Sequence, residues 1–262
     1  MLASLTFVQQ ILAVASGVAV GFSLGLIGGG GSILAVPLLL YLVGYPDAHV
    51  VIGTTALAVG VTAYLNLLPH WRAGNVRWRP GIAFALPGIL GATAGSTLGK
   101  ILPGKQLLFL FALLMLAVAG LMLRRLDASL AKPAGVTRWG RLLPTGFGVG
   151  LLSGFFGIGG GFLIVPGLIF ATDMSMLSAV GTSLFSVGTF GVTTAASYAL
   201  SGLVDWRVAA EYIVGGFAGG LLGAAGATRL GDRKSTLTRV FAAVIVVVAV
   251  YVLYVNIDAL TR

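Results

Sequence analysis

Two glycine-rich turns contain the residues best suited to chemistry in this sequence. The first comprises Gly28, Gly29, Gly30, Gly31 and Ser32, and the second comprises Gly157, Gly159, Gly160 and Gly161. Glycine lets the backbone approach a ligand closely, and the N–H groups that begin a helix favour an anion. We therefore expect both turns to supply backbone N–H groups to one anion site. The alternative is that these glycines only let helices pack closely.

Polar side chains follow each turn at matching positions. They are Thr54, Thr55 and Asn66 after the first turn, and Thr182, Ser183 and Thr194 after the second. Their hydroxyl and amide groups could donate hydrogen bonds to a bound anion. The hydroxyls could equally bond to carbonyls of their own helix, and Asn66 and Thr194 could equally bond to a neighbouring helix. Each of these residues is a candidate for substrate binding.

No arrangement typical of an enzyme or a metal site accompanies these residues. The sequence has no Cys and only two His. We find no helical pair of histidines, no nucleophile beside a base and no P-loop lysine. We therefore expect no catalysis, no cofactor and no metal.

Two further ionisable residues lie near the ends of apolar runs. Glu211 is about one turn inside a run, where a carboxylate is costly and often marks proton or ion coupling. Arg207 precedes it by four residues, so we favour an ion pair at the membrane interface. His70 ends another run, and we expect its side chain to be solvated or to snorkel towards water.

The composition indicates that lipid surrounds most of the chain. Of 262 residues, 58% are hydrophobic and 9% are charged, and the mean hydropathy is +1.04. Soluble domains carry roughly 25% charged residues. The net charge of +9 does not indicate a nucleic-acid partner, because the basic residues lie in short gaps between apolar runs. We expect an all-α integral membrane protein in contact with membrane lipid, either alone or as a homo-oligomer.

The chain repeats itself with an offset of 129 and then 128 residues. Seven of thirteen positions are identical between 25–37 and 154–166, and Gly53-Thr54-Thr55 matches Gly181-Thr182-Ser183. We therefore expect a first transmembrane repeat over 1–124, a basic cytoplasmic linker over 125–141 and a second transmembrane repeat over 142–262. Regularly spaced glycines recur late in each repeat, and we expect them to allow close helix packing; they are Gly88, Gly91, Gly95, Gly99, Gly216, Gly219 and Gly223.

The first part of each repeat is too long for one helix and too short for two full spans. A continuous helix over 6–43 would be about 57 Å long, against about 30 Å of hydrocarbon. We therefore expect the chain to fold back at Gly28–Gly31, as a hairpin or a re-entrant loop. Each half then contains a glycine-broken helical hairpin followed by three transmembrane helices, and the two halves are inverted repeats.

The distribution of basic residues favours the same topology. With the N-terminus outside, twelve of the 16 Lys and Arg lie inside, in the segments 72–79, 124–141 and 229–239. We expect a multi-pass protein of the cell inner membrane. Inverted repeats are typical of transporters, because two similar halves can move about a site between them.

The two turn motifs resemble those of a known family. Gly21 to Pro37 reads G-F-S-L-G-L-I-G-G-G-G-S-I-L-A-V-P, and Gly157 to Pro166 reads G-I-G-G-G-F-L-I-V-P. The chain is similar over nearly its whole length to the sulfite exporter TauE/SafE family, also called the toluene-sulfonate uptake permeases. The resemblance implies secondary transport of a sulfur-containing anion such as sulfite or an organosulfonate. It also implies that both turns and the pairs Thr54–Thr55 and Thr182–Ser183 bind the substrate.

Our leading hypothesis is an anion permease that works by alternating access, driven by the proton motive force or the substrate gradient. Two other classes remain open from the sequence. One is a passive anion channel, and the other is a membrane scaffold that transports nothing.

Overall fold

The computed structural model describes residues 5–127, 138–159, 161–229 and 234–260, and within these ranges it is helical without strands. Its α-helices are α1 (Phe7–Ile27), α2 (Ala35–Pro37), α3 (Ala48–Arg72), α4 (Trp78–Ile101), α5 (Gly104–Asp127), α6 (Trp139–Phe156), α7 (Gly161–Thr172), α8 (Met176–Ala199), α9 (Trp206–Arg229) and α10 (Lys234–Val255). Six helices in these ranges are long and apolar enough to cross a bilayer. The all-α, multi-pass prediction is therefore confirmed.

Polar side chains fix where several helices begin. Thr6 and Gln9 form a reciprocal capping box at the start of α1. Asp47 accepts two backbone N–H groups at the start of α3, and Ser175 caps α8 at the equivalent position of the second repeat. Asp205 accepts two N–H groups at the start of α9. These caps satisfy donors that a helix cannot satisfy internally.

The first glycine turn reverses the chain after α1. Gly28 has φ 76° and ψ −149°, which an L side chain rarely adopts. A 3₁₀ helix (Gly28–Leu34) follows, then the single turn α2 and a π-helical turn (Leu38–Leu42). The Gln9 side chain donates a 3.0 Å hydrogen bond to the carbonyl of Val43. Since Gln9 is in the first turn of α1, the returning segment runs back along the whole of that helix.

The second glycine turn reverses the chain after α6 in the same way. Gly157 ends α6 in the left-handed conformation, with φ 67° and ψ 23°, and α7 leads back. The backbone N–H of Arg138 donates a 2.9 Å bond to the carbonyl of Ala171. Arg138 and Ala171 are the repeat equivalents of Gln9 and Val43. Both glycine-broken hairpins are therefore complete, and each returns the chain to the end where it entered.

The two most extensive helix pairings each join a helix of one half to a helix of the other half. Helix α1 of the first half packs on α9 of the second, and α6 of the second half packs on α4 of the first. Both pairs are parallel. In the first pair Gly17 faces Tyr212 and Gly25 faces Gly220, and in the second Gly91 faces Phe147 and Gly99 faces Phe155. A Cβ at Gly91, Gly95, Gly219 or Gly223 would overlap backbone atoms of the partner helix. The predicted packing role of these glycines is confirmed.

Helices α3 and α8 form the centre of the molecule. They are repeat equivalents, and they run antiparallel: Gly53 faces Tyr198, while the Tyr64 hydroxyl lies 2.9 Å from Thr189 Oγ1. Most residues of both helices are buried. Helix α3 also runs parallel to α9, and α8 runs parallel to α4. Two equivalent central helices are thus enclosed by exchanged pairs.

Candidate functional site

Each glycine turn packs against the central helix of the opposite half. A Cβ at Gly28 would lie 2.8 Å from Val180 Cγ1 of α8, and one at Gly157 would overlap the Ile52 side chain of α3. Ile52 and Val180 are repeat equivalents. The first turn also contacts α7, the segment that follows the second turn. The structure therefore brings the two predicted turns together inside the bundle.

Gly159 lies at the crossing of the two central helices. Its φ is 66°, and a Cβ there would lie 3.2 Å from Cγ1 of both Val59 and Val187. These valines are equivalent, and each is about halfway along its helix. Helix α7 begins two residues later at Gly161, so its N-terminus faces the middle of the bundle. The first N–H groups of a helix have no partner within that helix, which suits them to an anion.

Three further turn residues are buried, namely Gly31, Ser32 and Gly161. Ser32 is fully buried, and Gly31 packs against Ser23 and Leu24 of α1. Gly29 and Gly30 lie within the 3₁₀ helix. Gly161 is buried at the first position of α7. Gly160 lies outside the described residues.

Thr54 and Thr182 join the two halves of the chain. Thr54 Oγ1 accepts a 2.9 Å hydrogen bond from the backbone N–H of Asp205. Thr182 Oγ1 accepts a 2.9 Å bond from the backbone N–H of Arg77. Arg77 and Asp205 are repeat equivalents, so one contact occurs twice with the halves exchanged. Each hydroxyl holds the loop that begins α9 or α4 against a central helix.

Thr55 and Ser183 bond within their own helices. Thr55 Oγ1 donates to the carbonyl of Val51 at 2.8 Å, and Ser183 Oγ donates to that of Val180 at 2.8 Å. This is the back-bonding alternative that the sequence left open. A ligand would have to compete with these bonds for the hydroxyl protons.

Asn66 and Thr194 remain the predicted side chains with spare hydrogen-bonding capacity. Asn66 is 1% exposed and packs against Gly220 of α9. Its Nδ2 atom meets no acceptor, and Thr194 Oγ1 likewise has no partner. The two positions are repeat equivalents on α3 and α8. Buried polar atoms are normally satisfied, so each of these atoms is a candidate ligand contact.

Several buried polar residues were missed by reasoning from the repeat. Ser186 Oγ is buried without a partner, and it directly precedes Val187 at the helix crossing. The Tyr212 hydroxyl donates to the carbonyl of Ala35 at 3.3 Å, just beyond the first turn. The repeat equivalents of Ser186 and Tyr212 are Ala58 and Phe84, so symmetry gave no signal for either.

His70 is also placed differently from the prediction. It is 5% exposed, and its Nε2 lies 3.3 Å from the carbonyl of Gly25. The expectation of a solvated ring was wrong, because α1 covers the end of α3. A carbonyl only accepts hydrogen bonds, so this contact places the ring proton on Nε2. His70 thus supports α1 about one turn before the first glycine turn.

The electrostatics of the centre depend on neutral groups. No charged residue occurs between 5 and 46 or between 142 and 172, which covers both hairpins apart from Arg141 in the first turn of α6. Backbone dipoles and neutral side chains are therefore the groups that the hairpins can offer to a ligand at the glycine turns. Among the described residues, no group of His, Cys, Asp and Glu could hold a metal ion.

A bundle of membrane-crossing helices, in which two interrupted helices meet at the centre, is the architecture of a membrane transporter. Comparison with known proteins identifies which kind. The chain belongs to the sulfite exporter TauE/SafE family, whose profile matches residues 13–252.

Relatives of this chain occur in distant bacteria. A probable membrane transporter protein of Xylella fastidiosa is 50% identical over 253 residues, covering 95% of this chain and 97% of the relative. The probable membrane transporter protein YdhB of Bacillus subtilis is 28% identical, covering 78% of this chain and 84% of the relative. A probable membrane transporter protein of Haemophilus influenzae is 27% identical, covering 94% of this chain and 97% of the relative. No solved structure matches the chain significantly.

Proposed function

We propose that this protein is a secondary transporter of a small sulfur-containing anion, such as sulfite or an organosulfonate, in the cell inner membrane. The observation that carries the proposal is the contact between the first glycine turn and α7 inside the bundle. The start of α7 faces the middle of the bundle, because Gly159 lies at the α3–α8 crossing. The sulfite exporter description of the family supports the substrate class.

The two halves act as inverted repeats in this proposal. A two-fold axis along the membrane normal would keep equivalent spans parallel, whereas an axis in the membrane plane reverses them. The antiparallel packing of α3 on α8 supports the second arrangement. The exchanged pairs α1–α9 and α4–α6 fit a two-fold relation between the halves. Rocking of residues 1–124 against 142–262 would then expose the centre to each side in turn.

Neutral donors hold the anion in this mechanism. The N–H groups at both turns bind its oxygen atoms, and Ser32, Asn66 or Thr194 adds a side-chain donor. A buried anion without a cationic partner needs several hydrogen bonds to offset its lost hydration. A sulfite or sulfonate group offers three oxygens for this purpose. The ligand passes through unchanged, so no catalytic group takes part.

The orientation follows from the basic residues. The N-terminus lies outside and the linker 125–141 lies in the cytoplasm, where the positive-inside rule places Arg124, Arg125, Lys132, Arg138 and Arg141. The loop that begins α4 is then cytoplasmic, and the loop that begins α9 is external.

Flux into proteoliposomes tests this function directly. We expect saturable, protein-dependent uptake of ³⁵S-labelled sulfite or an organosulfonate. Gly159→Ala should lower that uptake at least tenfold, because its positive φ is unfavourable for alanine and a shift of this turn moves the donors. Gly148→Ala is the matched control, since nothing lies within 4 Å of a Cβ there, and it should transport normally.

Size-exclusion chromatography of each variant separates a lost site from a lost fold. Wild-type protein that carries none of these anions would refute the proposal. Normal transport by Gly159→Ala would show that the glycine turns do not bind the anion during transport. Alternating access further predicts that unlabelled substrate on the far side accelerates exchange, whereas flux through a channel would not respond.

A further inference from the structure

A groove opens between α1 and α9, away from the glycine turns. It has a volume of about 430 Å³ and is lined by Gln10, Ile11, Val14, Ala15 and Glu211. Apart from Gln10 and Glu211 its walls are apolar. None of these residues belongs to the centre described above, so transport of a small anion leaves the groove unexplained.

Glu211 brings an incompletely paired carboxylate to this groove. One oxygen, Oε1, lies 3.4 Å from Arg207 Nε, and the other, Oε2, is buried without a hydrogen-bond partner. The Glu211 side chain is 19% exposed, while that of Arg207 is 73% exposed. A carboxylate oxygen shielded from water without a donor is costly. A cationic donor that enters the groove would remove that cost after a rotation of the carboxyl group, which is a soft torsion.

The position of the groove suits an amphiphile. Trp206 begins α9 and is 63% exposed, as expected of an anchor at the membrane interface. Glu211 lies about 7 Å further along the helix at 1.5 Å per residue, near the boundary between headgroups and acyl chains. Ile11 in the groove, and Phe22 and Val214 on the same two helices, are exposed apolar side chains. Acyl chains can therefore run along α1 and α9 below the charged pair.

We infer that this groove binds a phospholipid with a primary amine headgroup, of the phosphatidylethanolamine type. Its ammonium group donates to the Glu211 carboxylate, and its phosphate accepts from the exposed Arg207 guanidinium. The two opposite charges of the headgroup match the two charges of the protein. A trimethylated choline headgroup carries the same charge but has no N–H to donate, so the groove distinguishes the two lipids.

The pair has no counterpart in the first half. Arg79 is the repeat equivalent of Arg207, but Ala83 occupies the position of Glu211. The proposed lipid site therefore exists once per chain, next to α9. This asymmetry supplies a matched control within the same molecule.

Thermal unfolding of the delipidated, detergent-solubilised protein tests the inference. The protein is titrated with phosphatidylethanolamine and phosphatidylcholine of identical acyl chains, since a bound lipid raises the unfolding temperature. We expect the ethanolamine lipid to bind about tenfold more tightly, as one added charge-assisted hydrogen bond implies. Glu211→Gln should bring the ratio of the two lipid affinities close to one. Arg207→Gln should lower the affinity for both lipids alike, because both lipids carry a phosphate.

Arg79→Gln is the matched control and should leave both affinities unchanged. In the wild-type protein, mono- and dimethylated headgroups should bind with intermediate affinity, which tests the inference without any variant. Equal binding of the two lipids, or a preference that survives Glu211→Gln, would overturn it. A change of molar mass in light scattering on Glu211→Gln, with lipid preference intact, would instead identify a contact between two copies. Loss of proton-dependent transport with lipid preference intact would assign the carboxylate to coupling.

Discussion

At the level of single residues, two of the hydroxyls predicted to bind substrate, those of Thr54 and Thr182, hold the two halves together. The repeat correctly singled out Thr54 and Thr182 as equivalent and buried. Their partners could not be predicted, because each bond joins residues of different halves, 151 and 105 positions apart. A local pattern contains no information about which distant N–H group will meet a hydroxyl. The structure therefore adds an internal acceptor role for both hydroxyls, and their binding of substrate stays a prediction.

Replacing Thr54 with valine should destabilise the protein. Valine keeps the shape of threonine but leaves the buried N–H of Asp205 without an acceptor, which costs about 1–3 kcal/mol. Thr54→Ser keeps the oxygen and should cost less. The unfolding temperature in detergent measures both effects.

The equivalent change in the second half serves as the comparison. Thr182→Val should cost less than Thr54→Val, because the bond from Arg77 is only partly buried and water can replace the lost acceptor. If Thr54→Val left stability unchanged and abolished substrate binding, its hydroxyl would act on the ligand instead.

At the level of elements, the two hairpins followed from the sequence, whereas the shape of the first break did not. The length of the apolar segments and the two Gly-rich turns predicted the hairpins in both halves. Both returning segments contain Val-Pro, at Pro37 and Pro166, yet the first includes 3₁₀ and π turns and the second is a regular α-helix. One physical difference is Tyr212, whose hydroxyl engages the Ala35 carbonyl. Phe84 at the equivalent place has no hydroxyl to offer.

Glycines at the helix pairs should be intolerant of even one methyl group. Gly95→Ala in α4 and Gly223→Ala in α9 place a Cβ against the backbone of α6 and α1. Separating helices that pack this closely costs about 1–3 kcal/mol. Both variants should unfold at lower temperature than the wild type.

Gly120→Ala in α5 is the control for this pair. Nothing lies within 4 Å of a Cβ at Gly120, and alanine has the higher helix propensity, so stability should hold or rise. An equal loss of stability at all three positions would show that close packing at Gly95 and Gly223 is not its cause.

At the level of the whole molecule, the repeat predicted which elements correspond but not how they exchange. Matching blocks such as Gly53-Thr54-Thr55 and Gly181-Thr182-Ser183 identified equivalent helices. That α1 would pack on α9 instead of its own neighbours required the three-dimensional structure, because both faces of α1 are apolar. The predicted division into 1–124, 125–141 and 142–262 remains a prediction, since residues 128–137 lie outside the described ranges.

Chemical labelling can test the inverted arrangement in whole cells. The protein has no Cys, so Ala73→Cys and Ser201→Cys each introduce a single thiol at an exposed, repeat-equivalent loop position. A membrane-impermeant maleimide should label Ser201→Cys from outside, and Ala73→Cys only after the membrane is permeabilised.

Labelling of both positions from the same side would contradict the inverted topology. A thiol at exposed Leu200, next to Ser201, should behave as Ser201→Cys does and controls for local accessibility.

Helix α1 is synthesised long before α9, the helix against which it packs. The ribosome delivers α1 first, but the surface against which Gly17, Gly21 and Gly25 fit is made only some two hundred residues later. Until α9 is made, α1 lacks this partner helix. In a chain truncated before α9, α1 would never gain that partner. A chain truncated before α9 should therefore leave the glycine-lined face of α1 in contact with lipid.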